Sequence, residues 1–140
     1  MKHLFSGFLL FAMMFVGSQV VLAAEEKDPC ASRVPADQLS AAKAEKNPYA
    51  GDAEAIAEGK SIFEGKGTCF TCHGMTGGGD GEAGAALDPL PRDFTNAKFQ
   101  DCKSDGEMVW VIKNGSPGTG MIPAVATGIL TEEEAEKVQA

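Results

Sequence analysis

The run Cys69-Phe70-Thr71-Cys72-His73 is a C-x-x-C-H, and it constrains this chain more than any other feature. Thiols at this spacing can each add across a vinyl group of one haem. The histidine beside the second thiol is then held against the iron as a proximal ligand. This is the attachment signal for a c-type haem. The other histidine, His3, lies in a segment expected to be removed, which leaves His73 as the mature chain's only imidazole. The competing reading is a C-x-x-C disulfide with a bystander histidine.

The N-terminus points to an exported protein. Met1-Lys2-His3 is a short positive start, and residues 4–16 are almost wholly apolar. Gly17-Ser18-Gln19 breaks the run, and Val21-Leu22-Ala23-Ala24 offers small residues for cleavage before Glu25-Glu26. The pattern predicts a secretory signal peptide over residues 1–23. The apolar run is shorter than the roughly 20 residues that span a bilayer, so no stable membrane insertion is expected after cleavage; the alternative reading is an uncleaved membrane anchor. A bacterial periplasm fits such a chain.

Residues 24–140 suffice for one small domain. Residues 24–50 read as a charged, alanine-rich N-terminal extension and residues 51–140 as the domain proper. Seventeen glycines and seven prolines imply much irregular backbone. A covalent haem would supply an apolar centre that the polypeptide then need not provide. The formal charge is −8. That sign excludes nucleic acid and anionic membranes as electrostatic partners and suits a basic protein partner or plain solubility.

Helices are legible at several places. Residues 36–45 can form a short one. Asp52 is a fair N-cap for residues 53–63, where Ile56, Gly59 and Phe63 recur on one helical face. Gly65 and Gly67 stop that helix before Cys69. The glycine-rich stretch at residues 74–84 follows no strand and lacks the Lys-Ser/Thr of a phosphate loop. Ser104 or Asp105 can cap a helix to about Lys113, with Met108, Val109, Val111 and Ile112 as its apolar side. Asn114-Gly115 ends it. Thr131-Glu132-Glu133-Glu134 is a capping box opening a last helix. No stretch alternates with the period of two that a strand requires.

Iron in an electron carrier usually takes a second axial ligand. Outside the expected signal peptide the methionines are Met75, Met108 and Met121. Met75 is two residues from His73 and cannot reach the opposite face. Met108 sits among helical core positions. Met121 lies in a loop between Gly120 and Pro123, and is the favoured sixth ligand. A soft thioether favours ferrous iron and raises the potential.

These segments together resemble the class I mono-haem cytochromes c, from about Ala53 to the end of the chain. The resemblance rests on the helix with Gly59 and Phe63, on Cys69-Phe70-Thr71-Cys72-His73-Gly74, and on Gly79-Asp80-Gly81. It also rests on Pro89-Leu90-Pro91-Arg92-Asp93-Phe94-Thr95, on residues 114–123, and on Leu130-Thr131-Glu132-Glu133-Glu134. It implies an all-α fold of three to five helices wrapped around one covalent haem. It implies that a proline carbonyl, from Pro89 or Pro91, accepts a hydrogen bond from the proximal imidazole. Arg92 and Trp110 are candidates for holding the propionates. Two departures stand out. Ile122 separates Met121 from Pro123, where the family has Met directly before Pro. The family's last helix carries an aromatic that packs on the first, and residues up to Ala140 supply none for Phe63.

Cys30 and Cys102 remain. In an exported protein two spare thiols suggest a disulfide, which at this spacing would stabilise by about 4 kcal/mol. A zinc site from Cys69, Cys72, His73 and Cys102 is the alternative use.

The expectation is a periplasmic one-electron carrier with one haem c, bound through Cys69 and Cys72 and ligated by His73 and Met121. It acts with redox partner proteins and catalyses no bond rearrangement itself. A second reading is a haem-based enzyme subunit or small-molecule binder with an open sixth site. A third is a thiol–disulfide protein using Cys69 and Cys72, a class that needs strands alternating with helices.

Overall fold

In the computed structural model the described residues are 28–140; the signal-peptide reading, over residues 1–23, lies outside them. The described residues form six α-helices: α1 (Ala36–Ala44), α2 (Ala53–Glu64), α3 (Phe70–His73), α4 (Ala97–Cys102), α5 (Asp105–Asn114) and α6 (Glu132–Gln139). One 3₁₀ turn spans Glu82–Gly84, and no strand occurs among these residues. The all-α expectation holds. The helix number exceeds the three to five expected because α3 and α4 are only four and six residues long. Elements that short leave no 3.6-residue period to read.

The helix starts follow the side chains foreseen to cap them. The Asp52 carboxylate accepts from the Glu54 and Ala55 amides at the start of α2. Ser104 with Glu107, and Thr131 with Glu134, form complete capping boxes on α5 and α6. The unforeseen α4 has its own cap, Asn96, whose side chain accepts from the Phe99 amide. Each such bond satisfies an amide that the first helical turn would otherwise leave without a partner.

Helix α2 packs on α6, α6 on α5, and α5 on α1. The buried side of α2 is Ala55, Gly59 and Ile62, which corrects the expected Ile56–Gly59–Phe63 face. Ile56 is exposed and Phe63 half-buried. Both line a cavity of about 270 Å³ with Met75, Phe94 and Val138. A 3.6-residue period allowed either stripe, and the approach of α6 selects the one that buries.

The N-terminal extension is part of the same packing. Cys30 is bonded to Cys102 at the end of α4, with Cα atoms 5.6 Å apart. Lys103 donates to the carbonyls of Cys30 and Ala31 at 3.0 and 2.9 Å. Asn47, buried in the turn between α1 and α2, donates to the Glu136 carbonyl in the last turn of α6 at 2.7 Å.

The polypeptide core is thin. Among the described residues eight apolar ones are buried, three of them alanine, and no large side chain is fully enclosed. A domain with so little apolar mass is suited to folding around a further hydrophobic body.

Candidate functional site

The C-x-x-C-H segment forms a single helical turn. Cys69 stands at the N-cap of α3, and the His73 amide donates to its carbonyl at 2.9 Å. Cys69, Cys72 and His73 therefore share one turn, with both sulfurs free. The glycine-rich stretch then folds back on that turn. The Gly79 amide donates to the His73 carbonyl at 2.8 Å, and the Gly81 amide to the Cys72 carbonyl at 3.0 Å. Gly81 lies so near that a Cβ there would sit 2.4 Å from the Thr71 carbonyl oxygen. The stretch therefore satisfies the carbonyls of a very short helix, an alternative to the phosphate-cradling role that its sequence ruled out.

His73 is oriented by its second nitrogen. Its Nδ1 lies 3.1 Å from the Arg92 carbonyl oxygen, which requires the proton on Nδ1. Burial holds the imidazole below its usual range, and the hydrogen bond to Arg92 opposes that in part. The ring is thus neutral near pH 7, with the Nε2 lone pair left for a metal. The acceptor is Arg92 and not Pro89 or Pro91. The Pro91 carbonyl instead faces Gly79, where a Cβ would lie 2.6 Å from it, and the Pro91 ring packs on Gly84. Pro89 follows a cis peptide bond. Any residue offers the same carbonyl, so the sequence could not say which one the chain delivers.

Two aromatic contacts complete this side. Phe94 stacks on the His73 ring with centroids 4.5 Å apart and planes inclined by 16°. Phe99 tilts against Phe94 at 5.9 Å, and the Arg92 guanidinium lies over the Phe99 ring at 5.5 Å. Sequence reasoning singles out neither phenylalanine as a site residue. Their order after Arg92 is visible there, but the stack is a tertiary contact.

The other expected residues are spread more widely. Trp110 directs its indole N–H to the Gln38 side chain on α1 at 3.0 Å, so that donor is used within the protein rather than held for a propionate. Met121 is half-buried in the loop after α5. Its carbonyl accepts from the Ser116 amide at 3.1 Å and its amide donates to the Thr119 hydroxyl at 3.1 Å. The neighbouring Gly120 lies against Leu87, which brings this loop onto the segment leading to Arg92. An open cavity of about 740 Å³ beside α3 is lined by Phe70, Met75, Asp80 and Glu82, but not by Cys69, Cys72 or His73. The donor chemistry of the turn identifies the site, not this cavity.

The same geometry decides against the rival chemistries. Cys102 is bonded to Cys30 and cannot serve as a fourth zinc ligand. Burial pushes the Cys69 thiol up, and the neighbouring Cys72 adds to the effect. A thiol–disulfide protein of this kind needs strands alternating with helices, and no strand occurs among the described residues.

The domain model described as "Cytochrome C oxidase, cbb3-type, subunit III" matches residues 54–140. The chain belongs to this cytochrome c family. It therefore carries a class I cytochrome c domain, a haem-binding module of electron transport. This chain is also similar to a chain of the Kuenenia stuttgartiensis reducing HAO-like protein complex. The identity is 30% and the TM-score 0.53, over 62% of this chain and 41% of that one. This chain thus spans about two fifths of that relative's length. Among curated proteins none matches.

The residues present fit a haem. Two free thiols and a neutral imidazole with its Nδ1 engaged form the donor set that covalent attachment and proximal ligation require. The thin polypeptide core among the described residues is consistent with such a group completing the apolar centre.

Proposed function

We propose that this chain is a periplasmic electron carrier holding one haem c with His/Met ligation. The observation that carries the reading is the turn in which Cys69, Cys72 and His73 stand together while the Arg92 carbonyl fixes the imidazole. Bound there, a haem supplies an iron that changes oxidation state by one electron. Cys69 and Cys72 tether it through thioethers. His73 presents Nε2, and the Arg92 carbonyl keeps the proton on Nδ1 and the ring in place. Met121 offers its thioether from the loop that lies against Leu87. Arg92 is the remaining candidate for a propionate contact. The pattern of residues 1–23 and the Cys30–Cys102 disulfide support export to an oxidising compartment. The charge of −8 supports docking to basic partner surfaces.

A second reading places the same domain as an electron-transfer subunit of a larger assembly. It is favoured by the family description, which names an oxidase subunit, and by the solved relative, which belongs to a complex. A redox titration of the purified protein tests the shared core. A single reversible one-electron wave with a Met-to-iron charge-transfer band supports the carrier. Rapid binding of azide or carbon monoxide without that band supports an open sixth site. Co-purification with a fixed stoichiometry of other subunits supports the assembly.

A further inference from the structure

We propose that Phe94 is a positioning residue for the axial imidazole: it fixes the plane of the His73 ring and through it tunes the iron. The inference rests on the reading of His73 as an iron ligand. Two independent contacts hold the ring. The Arg92 carbonyl, 3.1 Å from Nδ1, constrains it within its own plane. The Phe94 ring, nearly parallel at 4.5 Å, constrains it from the face. Rotation about the bond from Nε2 to a metal would stretch the first contact and break the second. Carbonyl partners such as Arg92 orient metal-bound histidines and adjust their basicity.

Phe94 is itself held rigidly enough to act as a stop. Its amide donates to the Gly77 carbonyl at 2.7 Å, and its carbonyl accepts from the Gln100 side chain at 2.6 Å. The Asp93 carboxylate accepts from the Thr95 amide and hydroxyl at 2.7 and 2.6 Å, which fixes the turn that follows. Gly77 makes room for the ring, since a Cβ there would lie 3.3 Å from Phe94 Cδ2. Phe99, buried at the middle of α4, backs it through a tilted ring contact. Three residues on, Cys102 fastens α4 to the N-terminal extension. The imidazole plane is therefore set by a chain of contacts that ends in a covalent link.

The test uses the exported, haem-loaded protein with Phe94→Leu, Phe94→Met and Phe94→Tyr. The ring plane of an axial imidazole determines the g-anisotropy of the oxidised iron and the spread of the haem-methyl resonances. Leu and Met remove the stacking surface, and both are expected to shift the largest g value, the methyl spread and the midpoint potential. Tyr keeps the ring and is expected to restore all three. Covalent haem content should stay at the wild-type value throughout. Val109→Ala, a buried truncation on α5 outside the contacts named above, should lower the unfolding midpoint without moving the g values. In the reduced wild-type protein, nuclear Overhauser contacts between the Phe94 and His73 rings are expected. Their absence overturns the proposal even where no variant matures. Unchanged g values and methyl spread in Leu and Met variants that carry haem also overturn it, and leave His73 ligation standing. Wild-type protein without covalent haem refutes the ligation reading instead.

Discussion

Gly59 approaches Lys137 so closely that a Cβ on Gly59 would lie 1.9 Å from the Lys137 carbonyl oxygen. Helices α2 and α6 thus meet backbone to backbone, which joins the helix before the C-x-x-C-H turn to the last helix. Gly106 repeats the arrangement between α5 and α1, where a Cβ would lie 1.9 Å from the Ala42 carbonyl oxygen. Neither backbone atom can move without shifting a whole helix. Gly59→Ala is expected to destabilise by about 1–3 kcal/mol, the usual cost of overpacking, despite Ala's better helix propensity. Guanidinium unfolding of the haem-loaded variant checks this. A stability equal to or above that of the wild type would show that α2 and α6 do not cross here.

The Cys30–Cys102 bridge, with a sequence separation of 72, should hold the extension on α4. Opening it by Cys30→Ser with Cys102→Ser is expected to cost about 4 kcal/mol in the chain-entropy model. Thiol titration of unfolded, unreduced holoprotein should find no free thiol, and reduction should release two. Two free thiols before reduction would rule the bridge out.

Much of this site is legible in the amino-acid order alone. The C-x-x-C-H carries its chemistry in side chains at fixed spacing, so Cys69, Cys72 and His73 can be named outright. Asp52, Ser104 and Thr131 announce helix starts because capping is local. The acceptor for His73 is Arg92 where the resemblance implies a proline, because carbonyls carry no residue-specific signal. The buried stripe of α2 holds Ile62 rather than Ile56 because α6 chooses it. Trp110 reads as a haem-side donor until α1 places Gln38 within reach of its indole. Phe94 stands in plain view in the Arg92-Asp93-Phe94 run, but only the fold of residues 74–94 lays it on His73.

Acid sensitivity should be traceable to Glu107. Burial pushes its carboxyl up, yet the Ser32 hydroxyl, the Lys103 ammonium and the Ser104 amide together hold it below its ordinary value of 4.5. Its side chain and that of Lys103 are almost wholly removed from water, 3.3 Å apart. A carboxyl lowered by folding contributes stability that is fully present above its unfolded pKa. That contribution is lost as the pH falls through the lower folded value. Stability is therefore expected to decline below pH 4.5, and Glu107→Gln to flatten the decline. Glu107→Ala leaves the Lys103 charge buried and unpaired, at a cost of about 3–5 kcal/mol. Denaturant midpoints across the acid range decide it; identical acid limbs for Glu107→Gln and wild type would contradict the assignment.

Met121→Ala should leave haem attached, because Cys69, Cys72 and His73 are untouched. It is expected to abolish the Met-to-iron band, admit water or small ligands, and lower the potential as the soft sulfur is lost. Met108→Ala, half-buried on α5, should keep the band and affect stability alone. Loss of the band in Met108→Ala with its retention in Met121→Ala would transfer the sixth ligand to Met108.

The most direct measurement is acid–acetone extraction of the exported protein, followed by haem and protein determination. The expected result is one haem per chain, retained by the polypeptide and absent from the organic phase, and lost from the chain in Cys69→Ala with Cys72→Ala. Haem passing wholly into the acetone, or mature protein with none to extract, would contradict the thioether attachment on which the account of this chain depends.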